Sequence, residues 1–209
     1  MDYKFHTIHR LVRLAIRYCV LALQFTHENQ KKHKLDILTK LFIVTNQYLN
    51  ELDIDYWLVD GTLLGYHRVN GILEHDVDID IGIHESAFQT IWQNRNKLPH
   101  GFKMYDTSYK HRGPKLYISY KGWEADLYFF EDQGQHLQSY ATGQMSGEYL
   151  PFPKDYIYPL QHTYFLGEKT YIPSKIVPYL EHVYGYIGEN AVQDKKTGYW
   201  HKTSTSRQG

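Results

Sequence analysis

Residues 75–83 read HDVDIDIGI, and this alternation constrains the fold more tightly than the rest of the chain does. Side chains two apart on a strand point the same way. An extended stretch from 76 to 83 therefore puts Asp76, Asp78 and Asp80 on one face and Val77, Ile79, Ile81 and Ile83 on the other. The apolar row needs a core behind it, which makes this a strand of a packed sheet. The acidic row needs neutralising. Two carboxylates about 4 Å apart repel by about 4 kcal/mol at an effective dielectric of about 20, and Asp is a poor strand former in any case. A divalent cation is the simplest remedy, and hard oxygen ligands select Mg²⁺, Mn²⁺ or Ca²⁺ over Zn²⁺. An edge strand with a solvated acidic face is the plain alternative.

Two flanking features favour the cation. Upstream, YWLV is a short strand ending at Asp60, and GTLLGYHR reads as a Gly61-Thr62 turn that opens a helix. Unpaired N–H groups and the helix dipole at such a terminus favour an anion such as phosphate. Arg68 on that helix is positioned to add a charge-assisted contact. Downstream, WEADLYFF carries Asp126 among Ala125, Leu127, Tyr128 and Phe129. An unpaired carboxylate buried there is costly, so it needs a cation or a donor. Glu124 lies on the same face and is a weaker candidate, and Asp76 is either a ligand or a neighbour of one. Arg112 and Lys115, in KHRGPKLY, form a small basic patch expected near these acids. His67, His75 and His84 are spaced by eight and nine residues, which matches no local metal motif on a helix.

The remaining pattern predicts a mixed α/β (α+β) sheet core flanked by helices. KLDILTKLFIVTNQYLNELD carries an apolar stripe of helical period. Ser86 is the expected N-cap of a helix over AFQTIWQNRNKL. FKMYDTS, KLYISY and WEADLYFF read as strands, the last two joined by a tight Lys-Gly turn. Residues 131–147 read as a polar loop, TYFLGEKTYIP as a hairpin, and SKIVPYLEHVYG as a helix. With no repeat or rich linker, residues 1–209 are expected to form one domain, its core at about 35–188. A helical N-terminal addition at 5–27 and a loosely held polar tail at 189–209 complete the expectation.

Composition excludes some classes. Lys+Arg and Asp+Glu both number 23, so no basic surface for nucleic acid is expected. Cys19 is the single cysteine, which rules out an intrachain disulfide and a cysteine zinc site. The apolar run LVRLAIRYCVLALQF is interrupted by Arg13 and Arg17 and is shorter than the roughly 20 residues needed to span a bilayer. No transmembrane segment and no clear signal peptide are read there, so a soluble, cytoplasmic protein is expected.

The order Gly-Thr, Asp-Ile-Asp, then a later strand Asp resembles the polymerase-beta-like nucleotidyltransferase fold. More closely, YWLVDGTLLGYHRVNGILEHDVDIDIGI resembles the signature of the LicD/fukutin family of phosphotransferases, and ADLYFF, YPL, FLGEKTYIP and YLEHVYG are similar to its later landmarks. The resemblance covers residues 35 to 188. It departs at Val77, where bacterial relatives often carry another Asp, and at His75, where an aromatic residue is usual.

The resemblance implies transfer of a phosphorylated alcohol, such as phosphocholine or ribitol phosphate, from a CDP-alcohol donor to a sugar hydroxyl of a glycan, with release of CMP. It implies Mg²⁺ (or Mn²⁺) held by Asp78, Asp80 and Asp126, and donor phosphates bound by Gly61, Thr62, Arg68 and Lys115. Two other readings stand beside it. A nucleotidyltransferase of the same fold would use the same acids and release pyrophosphate. A catalytically silent glycan- or nucleotide-binding module would have no need of a like-charge cluster.

Overall fold

The computed structural model describes residues 28–141 and 150–203. The N-terminal segment read as a helix over 5–27 lies outside the described residues. The first described element, α1, is helical over 28–51. From residue 37 on, its apolar stripe is buried through Ile37, Leu38, Leu41, Phe42 and Leu49. The Tyr56 hydroxyl donates to Asn46 and ties this helix to the first strand.

Among the described residues the main sheet has seven strands. They are β1 (Tyr56–Leu58), β2 (Asp78–His84), β3 (Lys103–Asp106), β4 (Lys115–Tyr120), β5 (Trp123–Asp132), β6 (His136–Ser139) and β7 (Phe152–Pro153). The order is β1-β2-β5-β4-β3, with β6 bridging β5 and β7. β2 and β5 pair in parallel, and the other neighbours are antiparallel. The apolar row of the sequence does what its period requires: Ile79, Ile81, Ile83, Ala125, Leu127, Phe129, Leu116 and Ile118 are fully buried on one face. Val77 is the exception. The strand begins one residue after it, and Val77 is 59% exposed.

Helix α2 (Asp60–Val69) follows β1 directly. Asp60 makes the corner with φ 45, a left-handed conformation uncommon for a side-chain-bearing residue. The expected helix after β2 is broken into a 3-10 turn at Glu85–Ala87, α3 (Phe88–Gln93) and a second 3-10 turn at Arg95–Lys97. Its cap is His84, whose Nδ1 accepts from the backbone N–H of Ser86. The β4–β5 turn places Lys121 and Gly122 at φ 51 and φ 84, as a two-residue hairpin requires.

Of the stretch expected to loop over 131–147, the described part contributes to the sheet, and 142–147 lie outside the described residues. β5 runs to Asp132, and β6 takes up its edge where β4 leaves off. A short helix, α4 (Lys154–Ile157), precedes the expected hairpin of β8 (Gln161–Phe165) and β9 (Glu168–Ile172). Helix α5 (Ile176–Tyr184) follows. The end of the polar segment after Gly188, expected to be loosely held, lies outside the described residues, and within the rest β10 (Ala191–Gln193) and β11 (Trp200–Lys202) form a hairpin. It is fastened to the end of α5: Tyr186 N–H donates to the Trp200 carbonyl at 2.7 Å, and Gly185 bridges to Trp200. Among the described residues no helix is long and apolar enough to cross a membrane.

Candidate active site

Parallel register between β2 and β5 sets Asp80 opposite Asp126 and Asp78 opposite Glu124. Strand alternation turns all four toward the face away from the isoleucines. Asp78, Asp80 and Asp126 each offer a carboxylate oxygen, and the three oxygens lie within 4.8 Å of one another. Among the described residues this is the group of three or more metal-ligating side chains that the fold assembles, and no histidine joins it. His75 is largely exposed, 3.9 Å from Asp76, and His84 sits at the far end of β2 against Ser86 and Asp132.

Charge on this face is crowded. Burial, then the neighbouring Asp126 and Asp76, push the Asp78 carboxyl up to about 6. Asp80 is only 6% exposed, and burial first and Asp78 second hold it well above the ordinary carboxylate range. Glu124 is raised as well, by burial and by Asp126. The opposing cation is Lys115, across β4, whose Nζ lies 2.9 Å from Asp126 Oδ1. That ammonium is itself buried, packs 3.7 Å from the centre of the Tyr128 ring, and makes its ion pair without hydrogen-bond alignment. Tyr128 donates its hydroxyl to the other Asp126 oxygen at 3.2 Å. Hard carboxylate oxygens, crowded and partly desolvated against a single lysine, form a donor set that fits a divalent cation.

The start of α2 closes one side. Gly61 is so near the acids that a methyl group there would lie 3.2 Å from Asp80 Oδ2 and 3.4 Å from Asp76 Oδ1. Val59, at the N-cap of α2, makes no side-chain cap hydrogen bond, so that residue sets no capping side chain between the helix start and the acids. Thr62 has a structural contact of its own. It is buried, and its Oγ1 accepts from Asp80 N–H at 2.8 Å, locking α2 to β2. Asp76 lies before the strand and accepts from Leu73 N–H, so it shapes the loop that leads into the acids.

Two of the basic residues singled out in the sequence are not brought to the acids. Arg68 donates to the Ile187 carbonyl at 2.9 Å, and Arg112 donates to the Ser139 carbonyl at 2.5 Å. Conversely, His111 lies within the field of Lys115 and Asp126, and burial, then Lys115, lower its pKa. It stands in an irregular loop where no periodicity marks it. Tyr117, opposite Asp126 on β4, and Tyr128 complete the rim, and their two-residue spacing from charged neighbours was the available signal.

Residues 53–175 match the family model described as LicD/FKTN/FKRP, nucleotidyltransferase domain. The mouse protein named ribitol-5-phosphate transferase FKTN is 31% identical over 147 residues, which is 66% of this chain and 30% of that protein. An uncharacterised protein of Rickettsia typhi is 32% identical over 139 residues, covering 65% of this chain and 41% of the relative. The solved structure of the lincomycin-bound lincosamide antibiotic adenylyltransferase LnuA aligns with 72% of this chain and 89% of its own, at 16% identity and a TM-score of 0.46. The chain thus spans about a third of the length of the mouse relative.

Proposed function

This chain belongs to the LicD/FKTN/FKRP nucleotidyltransferase-domain family, and we propose that it is a metal-dependent phosphotransferase. On this reading it moves a phosphorylated alcohol of the ribitol phosphate or phosphocholine kind from a CDP-activated donor to a sugar hydroxyl of a glycan, releasing CMP. The observation that carries the reading is the convergence of Asp78, Asp80 and Asp126 within 4.8 Å beside the uncapped start of α2. The name of the mouse relative, a ribitol-5-phosphate transferase, supports the class of group transferred.

Asp78, Asp80 and Asp126 would hold Mg²⁺ or Mn²⁺. When bound, such an ion neutralises charge on the diphosphate and on the departing CMP oxygen. The chain's own residues do the rest. The first turn of α2 at Gly61 receives the donor phosphates, with the positive end of the helix dipole toward them. Thr62 fixes the separation of α2 and β2, and hence the distance from phosphate to acids. Lys115, a cation without aligned acceptors, faces the negative oxygens of the phosphoryl group in transfer. A bond forms between the acceptor hydroxyl oxygen and phosphorus as the bond from phosphorus to the CMP oxygen breaks. We assign Asp126 to accept the hydroxyl proton. Tyr128 and Lys115 hold that carboxylate in place.

The test is incubation with CDP-ribitol, CDP-choline and CDP-glycerol, Mg²⁺ or Mn²⁺, and a glycan acceptor, scoring released nucleotide. CMP release that needs the metal supports the reading. Release of pyrophosphate from a nucleoside triphosphate, with none of CMP from the CDP-alcohols, replaces it with nucleotidyl transfer.

A further inference from the structure

A cavity of about 310 Å³ opens beside Gly61 and Asp76 and runs away from the acids along α2. Its near wall is Gly61, Leu64, Arg68 and Leu73. Its far wall includes Tyr184, Tyr186, Gln193 and Trp200, all beyond the stretch 53–175 that carries the family match. This far wall is built rather than incidental. Arg68 ties α2 to the Ile187 carbonyl, and Tyr186 N–H holds the Trp200 carbonyl. Gly185, at φ 82, lets that strand approach so closely that a methyl group would lie 2.6 Å from the Trp200 oxygen.

We propose that this cavity seats the nucleoside of the donor, with its base against Trp200 and Tyr186 and its amino group read by Gln193. The inference rests on the phosphotransferase reading, because it starts from donor phosphates at Gly61. Three features select a nucleoside over a glycan chain. The volume is at the small end of ligand pockets, which begin at about 300 Å³, so one ring and one sugar fill it. Aromatic side chains supply the stacking surface that any base accepts. The Gln193 Nε2 donates to the Gly198 carbonyl at 3.1 Å, which leaves its Oε1 as an acceptor in the wall. An acceptor suits the exocyclic amine of cytosine and opposes the carbonyl that uracil carries at the same position.

Calorimetric titration of the full chain with CMP and with UMP, in Mg²⁺, tests this. CMP is expected to bind about tenfold more tightly than UMP. Trp200→Ala should weaken CMP about tenfold, with Trp200→Phe retaining most of the affinity. Gln193→Leu, at an exposed side chain, should bring CMP and UMP level while leaving Mg²⁺ binding unchanged, with an unaltered melting temperature showing that loss of the bond to Gly198 has not undone the hairpin. Wild-type affinity for CMP in both Trp200→Ala and Gln193→Leu would overturn the subsite and leave the phosphotransferase reading standing. A wild-type chain that binds no CMP in Mg²⁺ would bring down both.

Discussion

Lys115 Nζ and Asp126 Oδ1 meet at 2.9 Å between neighbouring strands, on the sheet face that also carries Asp78 and Asp80. The pair is one lysine set against a cluster of carboxylates, so it offsets only part of their repulsion, and the proposed divalent cation would offset the rest.

Replacing that lysine by an apolar chain of similar length removes the internal counter-charge. Lys115→Met should destabilise the metal-free protein by about 2–3 kcal/mol at neutral pH, measured by urea unfolding. Saturating Mg²⁺ should recover part of the loss. Donor turnover should fall about 100-fold, as for loss of one charge-stabilising group.

The raised carboxyls of Asp78 and Asp80 fix the direction of the pH response. Each binds a proton more tightly folded than unfolded. The stability they contribute is therefore complete below the ordinary value of 3.8 and is lost as pH rises through about 6, the folded value for Asp78. Asp80, raised further by its burial, extends the loss upward. In chelator, the melting temperature should be higher at pH 5 than at pH 7.5. Adding Mg²⁺ should raise it more at the higher pH. A melting temperature that climbs with pH in chelator contradicts this.

Neutralising one of the acids separates stability from chemistry. Asp80→Asn should raise the metal-free melting temperature at neutral pH, because a buried like charge is gone, while CMP release drops at least about 100-fold. Asp78→Asn should behave in the same way with a smaller gain in stability. Isothermal titration with Mn²⁺ should show weaker binding in both.

Thr62 gives a prediction that rests on the contact between α2 and β2. Its hydroxyl oxygen accepts from Asp80 N–H. Thr62→Val should cost about 1–3 kcal/mol, the penalty of an unsatisfied buried donor, whereas Thr62→Ser should stay near wild type in a denaturant titration.

The acids were legible because two rules coincide in them. Period-two alternation marks β2 and its face, and a lone Asp in the apolar run of β5 has to be paired. The family resemblance added the order of Gly61, the β2 acids and Asp126, and the parallel register then set Asp80 opposite Asp126. Elements that form by pairing rather than by burial were not legible. β6 is HLQS, too short and too polar to show a period of its own, and its pairing with β5 and β7 makes it a strand. The same holds for β10 and β11, polar segments held by Gly185 and Tyr186. His111 stands in a loop, and Arg68 and Arg112 have side chains long enough to reach carbonyls that no spacing rule names.

The side-by-side, same-direction pairing of β2 and β5 has one more consequence. Asp80 and Asp126 are 46 positions apart, and β3 and β4 lie between them in the chain and outside β5 in space. Contacts this distant form after local ones, once the intervening loop has been closed. The carboxylate cluster therefore depends on a long-range strand pairing and not on any local segment. A product truncated before Trp123 lacks Asp126, the third member of the carboxylate cluster, and with it β5, the strand on which the register of the cluster depends.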